Sequence, residues 1–227
     1  MKLSPQTVSL LKNYSSINSN IYVSAGNVIK TKSVGNNIHA ESSVPDTFPV
    51  TFGIWDLNRF LTVMSLFKDP DLDFQENYVR ISGNNTGVIT YFYSDPSLLH
   101  YPEKNINFPE SDVEFDLSES DITNILKAAS VLQAPDLAVE RSDDNIVVKV
   151  FDRKVNLSSN TYTLNVGKVS ESIKKANSTF SLLFKIENIK IMAGSYRVSL
   201  SKRKIARFQS SSSLIYYVSL EKDSTWA

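Results

Sequence analysis

Residues 56–72 read DLNRFLTVMSLFKDPDL, and residues 121–137 read DITNILKAASVLQAPDL. Both stretches begin with Asp, have Ser at the same position (Ser65 and Ser130), and end in Pro-Asp-Leu, at an offset of 65 residues. Residues 9–15, SLLKNYS, fit over residues 124–130, NILKAAS, at an offset of 115, which is close to half of the 227-residue chain. Repetition at half-length is typical of two similar domains in tandem, and the shorter offset indicates two similar halves in each domain.

The repeated stretches have the apolar spacing of amphipathic helices. From Leu57 and again from Ile122, apolar residues recur at positions i, i+3, i+4, i+7 and i+10, which line one face of an α-helix. Capping residues and prolines predict where the helices begin and end. The predicted starts are Ser4 with Pro5, Asp56, and Ser118 with Asp121, and the predicted stops are Pro70 and Pro135.

Strand patterns follow each helix. They lie at residues 20–25, 26–32 and 36–42 after the first helix, at 72–75, 78–82 and 87–93 after the second, and at 137–142, 145–152 and 162–166 after the third. Turn-forming residues separate them at 25–27, 35–36, 83–85 and 142–145. The repeating unit is therefore one helix followed by about three antiparallel strands.

A fourth unit is predicted after residue 162, in degenerate form. A strand at 179–185 is expected to lead into a single helical turn at 187–190, followed by strands at 195–201, 204–210 and 214–220. Two prolines bracket an extended connector at 102–109, which predicts a domain boundary there. The fold class is therefore α+β, with domains at residues 1–108 and 109–227.

Composition excludes several classes of protein. With 41% hydrophobic and 11% aromatic residues the chain can form ordinary cores, and with no cysteine it has no disulfide or thiolate site. The two histidines, His39 and His100, have no metal-binding spacing, so no metal and no cofactor are expected. Neither an apolar run of membrane-spanning length nor a signal-peptide core is present, so we expect a soluble, intracellular-type protein without membrane contact.

The charge is unevenly distributed although it sums to zero. Residues 46–121 hold 14 acidic and four basic residues, whereas residues 168–207 hold ten basic and two acidic residues. A basic surface on one side is compatible with this pattern, and so are two oppositely charged solvated faces.

An enzymatic function is not predicted. The chain has no phosphate-binding glycine loop, no dinucleotide-binding glycine pattern and no nucleophile-elbow motif, and it contains only seven glycines. Asp69, Asp71 and Asp73 resemble the start of a calcium loop, but the glycine and glutamate that such a loop needs further on are missing. A binding or scaffolding role is therefore favoured over catalysis.

The polar faces of the predicted helices hold few charged residues, and beyond the first turn they hold no carboxylate. Opposite the apolar stripes lie Lys12, Asn13, Asn58, Arg59, Thr62, Thr123, Lys127 and Ser130. Such faces suggest loose contact with a duplex backbone without base readout, although an ordinary solvent face has the same composition.

The chain resembles the DNA polymerase sliding clamps, or processivity factors, of T-even-type bacteriophages. The resemblance consists of short identities that occur in the same order along the whole chain. The matching residues are Met1-Lys2-Leu3-Ser4, Leu10-Leu11-Lys12-Asn13, Ile17-Asn18-Ser19, Asp56-Leu57-Asn58, Phe60-Leu61, Ser65-Leu66, Leu132-Gln133, Lys190-Ile191, Gly194 with Tyr196, Tyr217-Val218 and Asp223-Ser224-Thr225. The chain departs from the family at three places. Ser130 replaces a second basic residue on the third helix, Tyr91 replaces an edge-strand tryptophan, and Trp226-Ala227 replaces a charged and aromatic tail.

The resemblance implies a DNA-clamp fold assembled as a homotrimeric ring, with helices inside and sheets outside. It implies sequence-independent encirclement of double-stranded DNA and tethering of the replicative polymerase. The implied partners are the polymerase C-terminal peptide, the clamp-loader ATPase complex and late-transcription factors, the last of these giving a role as transcription coactivator. The implied location is the cytoplasm of the infected bacterial host.

Three sets of site residues follow from the patterns and the resemblance together. The DNA-facing residues are expected to be Lys12, Arg59, Lys127 and Lys190, with Lys2, Lys174 and Lys175 as additions. The subunit interface is expected to pair the strand at 87–93 with the strand at 160–166 through Thr90, Tyr91, Phe92, Tyr162 and Leu164. The partner-peptide pocket is expected to be lined by Ile106, Phe108, Tyr216, Tyr217 and Val218.

Two other functions are compatible with the residues. A virion structural protein could use the same edge strands to oligomerise, and a nucleic-acid binder could act through a basic patch at residues 168–207. The three functions differ in their response to DNA topology, because only a clamp stays on closed circles and runs off free ends.

Overall fold

A computed structural model describes residues 1–83, 87–158 and 160–227. The chain divides into two compact units, Met1–Asn105 and Ile106–Ala227, whereas the sequence predicts the boundary after residue 108. Part of the turn predicted at 83–85 lies outside the described residues.

The N-terminal unit holds two helices, α1 (Pro5–Ile17) and α2 (Leu57–Ser65). Each begins at its predicted cap: Ser4 Oγ accepts a hydrogen bond from the Thr7 N–H (3.2 Å), and Asp56 Oδ1 accepts one from the Arg59 N–H (2.9 Å). These bonds satisfy N–H groups that have no partner within the helix. Helix α2 ends at Ser65, before the predicted proline, so Phe67 lies beyond the helix and not on its stripe.

The strands of the N-terminal unit are β1 (Ile21–Val23), β2 (Gly26–Lys32), β3 (Ile38–Phe48), β4 (Phe52–Ile54), β5 (Asp71–Phe74), β6 (Tyr78–Ser82) and β7 (Val88–Phe92). Within this unit the strands pair antiparallel, β1 with β4, β2 with β3, and β5-β6-β7 in that order. Helices α1 and α2 pack against each other, and side chains such as Tyr14, Ile29, Ile54 and Leu57 are almost completely buried.

The C-terminal unit holds α3 (Glu119–Leu132) and α4 (Glu171–Ala176). Helix α3 begins with a complete capping box, in which the Asp121 N–H donates to Ser118 Oγ (3.1 Å) and the Ser118 N–H donates to Asp121 Oδ2 (2.9 Å). It ends at Gln133 in a left-handed conformation (φ 51°).

Helix α4 was missed by the sequence analysis, which placed the helical segment of the fourth unit at residues 187–190. A 3-10 turn, Ile186–Asn188, lies at that position, and the α-helix precedes the strand instead of following it. A sequence signal was present: Ser170-Glu171-Ser172 repeats Ser118-Glu119-Ser120 at the start of α3. Six residues are too few for the apolar periodicity that predicts longer helices.

The strands of the C-terminal unit are β8 (Val113–Leu117), β9 (Asp136–Ser142), β10 (Asn145–Phe151), β11 (Tyr162–Lys168), β12 (Phe180–Lys185), β13 (Tyr196–Ser201), β14 (Ile205–Ser210), β15 (Ile215–Ser219) and β16 (Thr225–Trp226). They pair antiparallel in two orders, β11-β10-β9-β12-β16 and β8-β13-β14-β15. Apolar side chains of α3 and of both strand sets, among them Ile122, Val148 and Phe208, form the core of this unit.

Candidate functional site

Strand β7 is an edge strand, pairing only with β6 among the described residues. The Tyr93 N–H just after it donates to the Asn77 carbonyl (3.1 Å), so by antiparallel alternation the N–H groups of residues 89 and 91 also point towards β6. The N–H groups of Thr90 and Phe92 therefore point away from the sheet. This outer edge is free to pair with another strand.

Two of the three exposed residues on one face of β7 are apolar, and Thr90 lies between them. Val88 is 55% exposed and Phe92 is 68% exposed. Tyr91 points the other way, with its ring 5.2 Å from that of Phe60 and its hydroxyl donating to the Asp56 carbonyl (3.4 Å). Burial raises the pKa of Tyr91, and the nearby Asp56 carboxylate adds to the shift. Apolar side chains beside an unpaired edge are typical of a surface that another strand covers.

Strand β11 is the second edge strand, pairing only with β10 among the described residues. Tyr162 and Leu164 are partly buried on one face, and Thr163 and Asn165 are exposed on the other. Both strands of the predicted interface therefore lie at sheet edges, one in each unit.

The predicted DNA-facing cations divide by location. Lys12, Arg59 and Lys127 are exposed on α1, α2 and α3, and the described residues place no carboxylate within ion-pair distance of them. Helices α1 and α2 contain no acidic residue, and those of α3 lie in its first turn. The exposed helix faces are thus positive or neutral, as their sequences predict.

The other four predicted cations have different surroundings. Lys175 is exposed on α4, whereas its neighbour Lys174 pairs with Glu171 (3.0 Å) and Asp144 (3.7 Å). Lys2 forms an ion pair with Asp69. Lys190 is partly buried and follows the 3-10 turn, so it is not on a helix.

The five predicted pocket residues lie on two faces of the β8-β13-β14-β15 strands. Tyr216 and Val218 are completely buried and face the core, where the Tyr216 hydroxyl accepts from the Met192 N–H (3.2 Å). Tyr217 faces the opposite way and packs against Phe108, with 6.2 Å between ring centroids. Ile106 and Phe108 are partly exposed. Of the five, only Ile106 and Phe108 are therefore partly exposed, and Tyr217, which packs against Phe108, is 8% exposed.

Arg207, which was not among the residues predicted from the sequence, also belongs to this cluster. Its guanidinium carbon lies 4.8 Å from the centroid of the Phe108 ring. Arg207 on β14 is in register with Tyr217 on β15. Alternation places residues that are in register on the same face of a sheet, so pairing the two predicted strands could have brought Arg207 and Tyr217 together.

The described parts of the chain offer neither a metal-binding cluster nor a membrane-spanning helix. They contain no group of three or more His, Asp or Glu residues that could hold a metal ion. Within the same residues, no helix combines the length and the apolar character that crossing a bilayer requires.

Solved structures with the same fold are sliding clamps. The A. fulgidus PCNA bound to the C-terminal region of FEN-1 aligns with a TM-score of 0.71 and 10% identity over 99% of this chain and 98% of that one. Proliferating cellular nuclear antigen from Entamoeba histolytica aligns with a TM-score of 0.67 and 16% identity over 95% and 94% of the two chains. The fold is therefore the DNA-clamp fold that these PCNA structures share.

Closer relatives identify the family. The family model for the DNA polymerase processivity factor matches residues 2–95, and the model for the gp45 sliding clamp, C terminal, matches residues 114–222. The sliding clamp of Vibrio phage KVP40 is 31% identical over 97% of this chain and 99% of its own, and that of Enterobacteria phage T4 is 31% identical over 99% of both. The chain belongs to the family of sliding clamps, the DNA polymerase processivity factors of T4-like phages, and the resemblance seen in the sequence is confirmed.

Proposed function

We propose that three copies of this chain close into a ring that encircles duplex DNA and tethers the replicative polymerase. The ring binds DNA without reading its sequence. It also serves as a docking platform for the clamp-loader ATPase complex and for late-transcription factors, as a transcription coactivator. The ring acts in the cytoplasm of the infected bacterium.

The observation that carries the proposal is the pair of edge strands, one in each unit. Edge strands tend to pair with other chains, and natural proteins usually block them with charge, proline or a covering segment. Strand β7 instead combines outward N–H groups with exposed Val88 and Phe92. Head-to-tail pairing of β7 with β11 of the next copy is a heterologous contact, and such contacts form a closed ring when the rotation between copies closes.

The helix faces support a DNA-facing lining. Lys12 and Lys127 occupy the same position of the repeated motif, and both are exposed without a carboxylate partner among the described residues. Such scattered cations contact phosphates without base readout, which suits a protein that must move along DNA. A closed ring stays on DNA because it encircles the duplex, so the net charge of zero is compatible with function on DNA.

Two structural neighbours are complexes, which agrees with partner docking and assembly. The A. fulgidus PCNA structure contains the C-terminal region of FEN-1, and another neighbour is a complex of PCNA2 and PCNA3 from Sulfolobus tokodaii. By analogy we place the docking site for the polymerase C-terminal peptide at Ile106, Phe108 and Tyr217, where aromatic side chains lie on the outward face of the C-terminal unit.

Loading onto closed and open DNA tests the ring. The chain is loaded onto nicked circular DNA by its clamp loader and passed through a gel-filtration column, before and after linearisation of the circle. We expect co-elution with the circle and loss after linearisation, because free ends release a ring. Retention on both forms would indicate a basic-patch binder, and absence from both would favour a virion protein.

A further inference from the structure

Four side chains form a row on the outward face of the C-terminal unit. Glu114 on β8 is in register with Ser199 on β13, Ser199 with Arg207 on β14, and Arg207 with Tyr217 on β15. Phe108 lies over this row, against both Arg207 and Tyr217. We call this set, Glu114, Ser199, Arg207 and Tyr217, the Arg207 row.

Arg207 is left with unused hydrogen-bonding capacity. Its Nη2 donates to Ser199 Oγ (3.3 Å), but its Nε is buried and has no acceptor among the described residues. The same residues place no carboxylate within ion-pair distance of Arg207, because Glu114, the acid of the row, pairs with Arg197 at 2.9 Å. Arg207 as a whole is partly exposed, so an acceptor brought by a ligand is favoured at the accessible part of its guanidinium.

The surroundings of Arg207 define the chemistry of that ligand. A guanidinium binds a carboxylate in its own plane through parallel N–H groups, and an aromatic ring stacks on its face. Phe108 already occupies the face, 4.8 Å away, so an in-plane carboxylate and the stacked ring are compatible. Phe108 is partly exposed, as is Ile106 two residues earlier in the chain, so apolar surface accompanies the charge. The site therefore suits an acidic group next to apolar side chains.

We propose that Arg207 binds the side-chain carboxylate of an acidic residue in the polymerase C-terminal peptide. This assignment rests on the docking function proposed above and names the feature that the docking site recognises. Arg207 lies in the middle of β14, with neighbouring strands on both sides. A peptide that lies across this face contacts Arg207 through its side chains. Its C-terminal carboxylate would reach Arg207 only if the peptide ended at this one position.

Calorimetry with three forms of the peptide tests the assignment. The probe is the C-terminal peptide of the polymerase from the same phage, used unmodified, with its acidic side chains changed to Asn or Gln, and with its C-terminal carboxylate amidated. We expect the Asn/Gln form to bind the parent chain about ten- to a hundredfold more weakly, because a charge-assisted hydrogen bond is lost. The amidated form should bind like the unmodified peptide.

Variants of the chain complete the cycle. Arg207→Gln should weaken the unmodified peptide by the same factor and should have no further effect on the Asn/Gln form. Arg207→Lys should recover only part of the affinity, because an ammonium does not offer the planar fork. The matched control is Arg203→Gln, an exposed arginine in the turn between β13 and β14 and outside the Arg207 row, and it should bind like the parent.

The opposite outcomes are distinct. Equal binding of the unmodified and Asn/Gln forms would overturn the carboxylate assignment and leave the docking function intact. Loss of binding on amidation alone would have the same consequence. A polymerase C-terminus without an acidic residue would also overturn the assignment and not the docking function. No binding of any form to the parent would overturn the docking function and this assignment with it. If Arg207→Gln fails to fold, the three peptide forms on the parent chain still decide.

Discussion

Asp136 is a buried carboxylate held by two cations. Its side chain is 2% exposed, and it lies 3.0 Å from Arg153 Nε and 2.6 Å from Lys185 Nζ. The Arg153 N–H also donates to it (3.1 Å), and the Arg153 guanidinium continues to Glu221 (3.5 Å) and Asp223 (3.3 Å). Burial by itself would raise the pKa of Asp136, but the bond from Lys185 and the contacts with Arg153 hold it below its ordinary value.

Replacing Asp136 should be strongly destabilising. Asp136→Ala leaves two cations at a buried site, and we expect the free energy of unfolding to fall by about 3 kcal/mol, at the lower end for a broken buried pair because both cations are about a quarter exposed. Urea denaturation at pH 7 measures the loss. The control is Asp116→Asn, whose side chain is 75% exposed, and it should cost less than about 1 kcal/mol.

The same carboxylate makes stability depend on pH. Because the folded-state pKa of Asp136 is below its unfolded value, its contribution is complete above about pH 4 and is lost as the pH falls through the folded value. The difference between parent and Asp136→Ala should therefore shrink in urea melts at progressively lower pH. A difference that stays constant down to full protonation would contradict the charged role of Asp136.

At the scale of the elements, the start of helix α3 is stabilised by a local capping box. Ser118→Ala removes the acceptor of the capping box, and we expect the unfolding free energy to fall by about 1 kcal/mol, measured by urea denaturation. Ser130→Ala, at an exposed position inside the same helix, is the control and should be neutral or slightly stabilising because alanine is the better helix former. An equal effect at both sites would show that capping is not the cause.

The outer edge of β7 offers a clean test of ring assembly. The Thr90 N–H points away from β6, so Thr90→Pro removes an outward donor and leaves the ladder with β6 in place. We expect a folded monomer by light scattering, with a far-ultraviolet spectrum like that of the parent. Tyr91→Pro is the contrasting variant, because its N–H points towards β6 and its loss should unfold the sheet. An intact trimer with Thr90→Pro would place the interface elsewhere.

At the scale of the whole molecule, the proposed lining is tested by charge reversal. Lys12→Glu with Lys127→Glu places carboxylates on two exposed helix faces, and we expect processive primer extension to fall by about tenfold or more while the trimer persists. Lys202→Glu with Lys222→Glu changes the same number of exposed charges outside the helices and should leave extension unchanged. Equal effects of the two pairs would mean that net charge matters and position does not.

Sequence alone predicted the elements whose causes are local. The caps at Ser4, Asp56 and Ser118 and the apolar stripes of α1 to α3 depend on residues within about one or two turns of each other, so they can be found by inspection. The repeat predicted two tandem domains, and identities spread along the chain indicated the family. Helix α4 was missed because six residues are too short for a periodic signal.

Tertiary structure decided which side chains meet and which remain unpaired. Alternation predicts two faces for strand 214–220 but not that Tyr216 and Val218 face the core while Tyr217 faces outward, because a shift of one residue in register would exchange them. The ion pairs of Asp136 and the stacking of Phe108 on Arg207 join residues far apart in sequence, and the edge positions of β7 and β11 depend on the strand order of each sheet. Local propensity carries no information on such contacts, since they exist only once strand order and register are set.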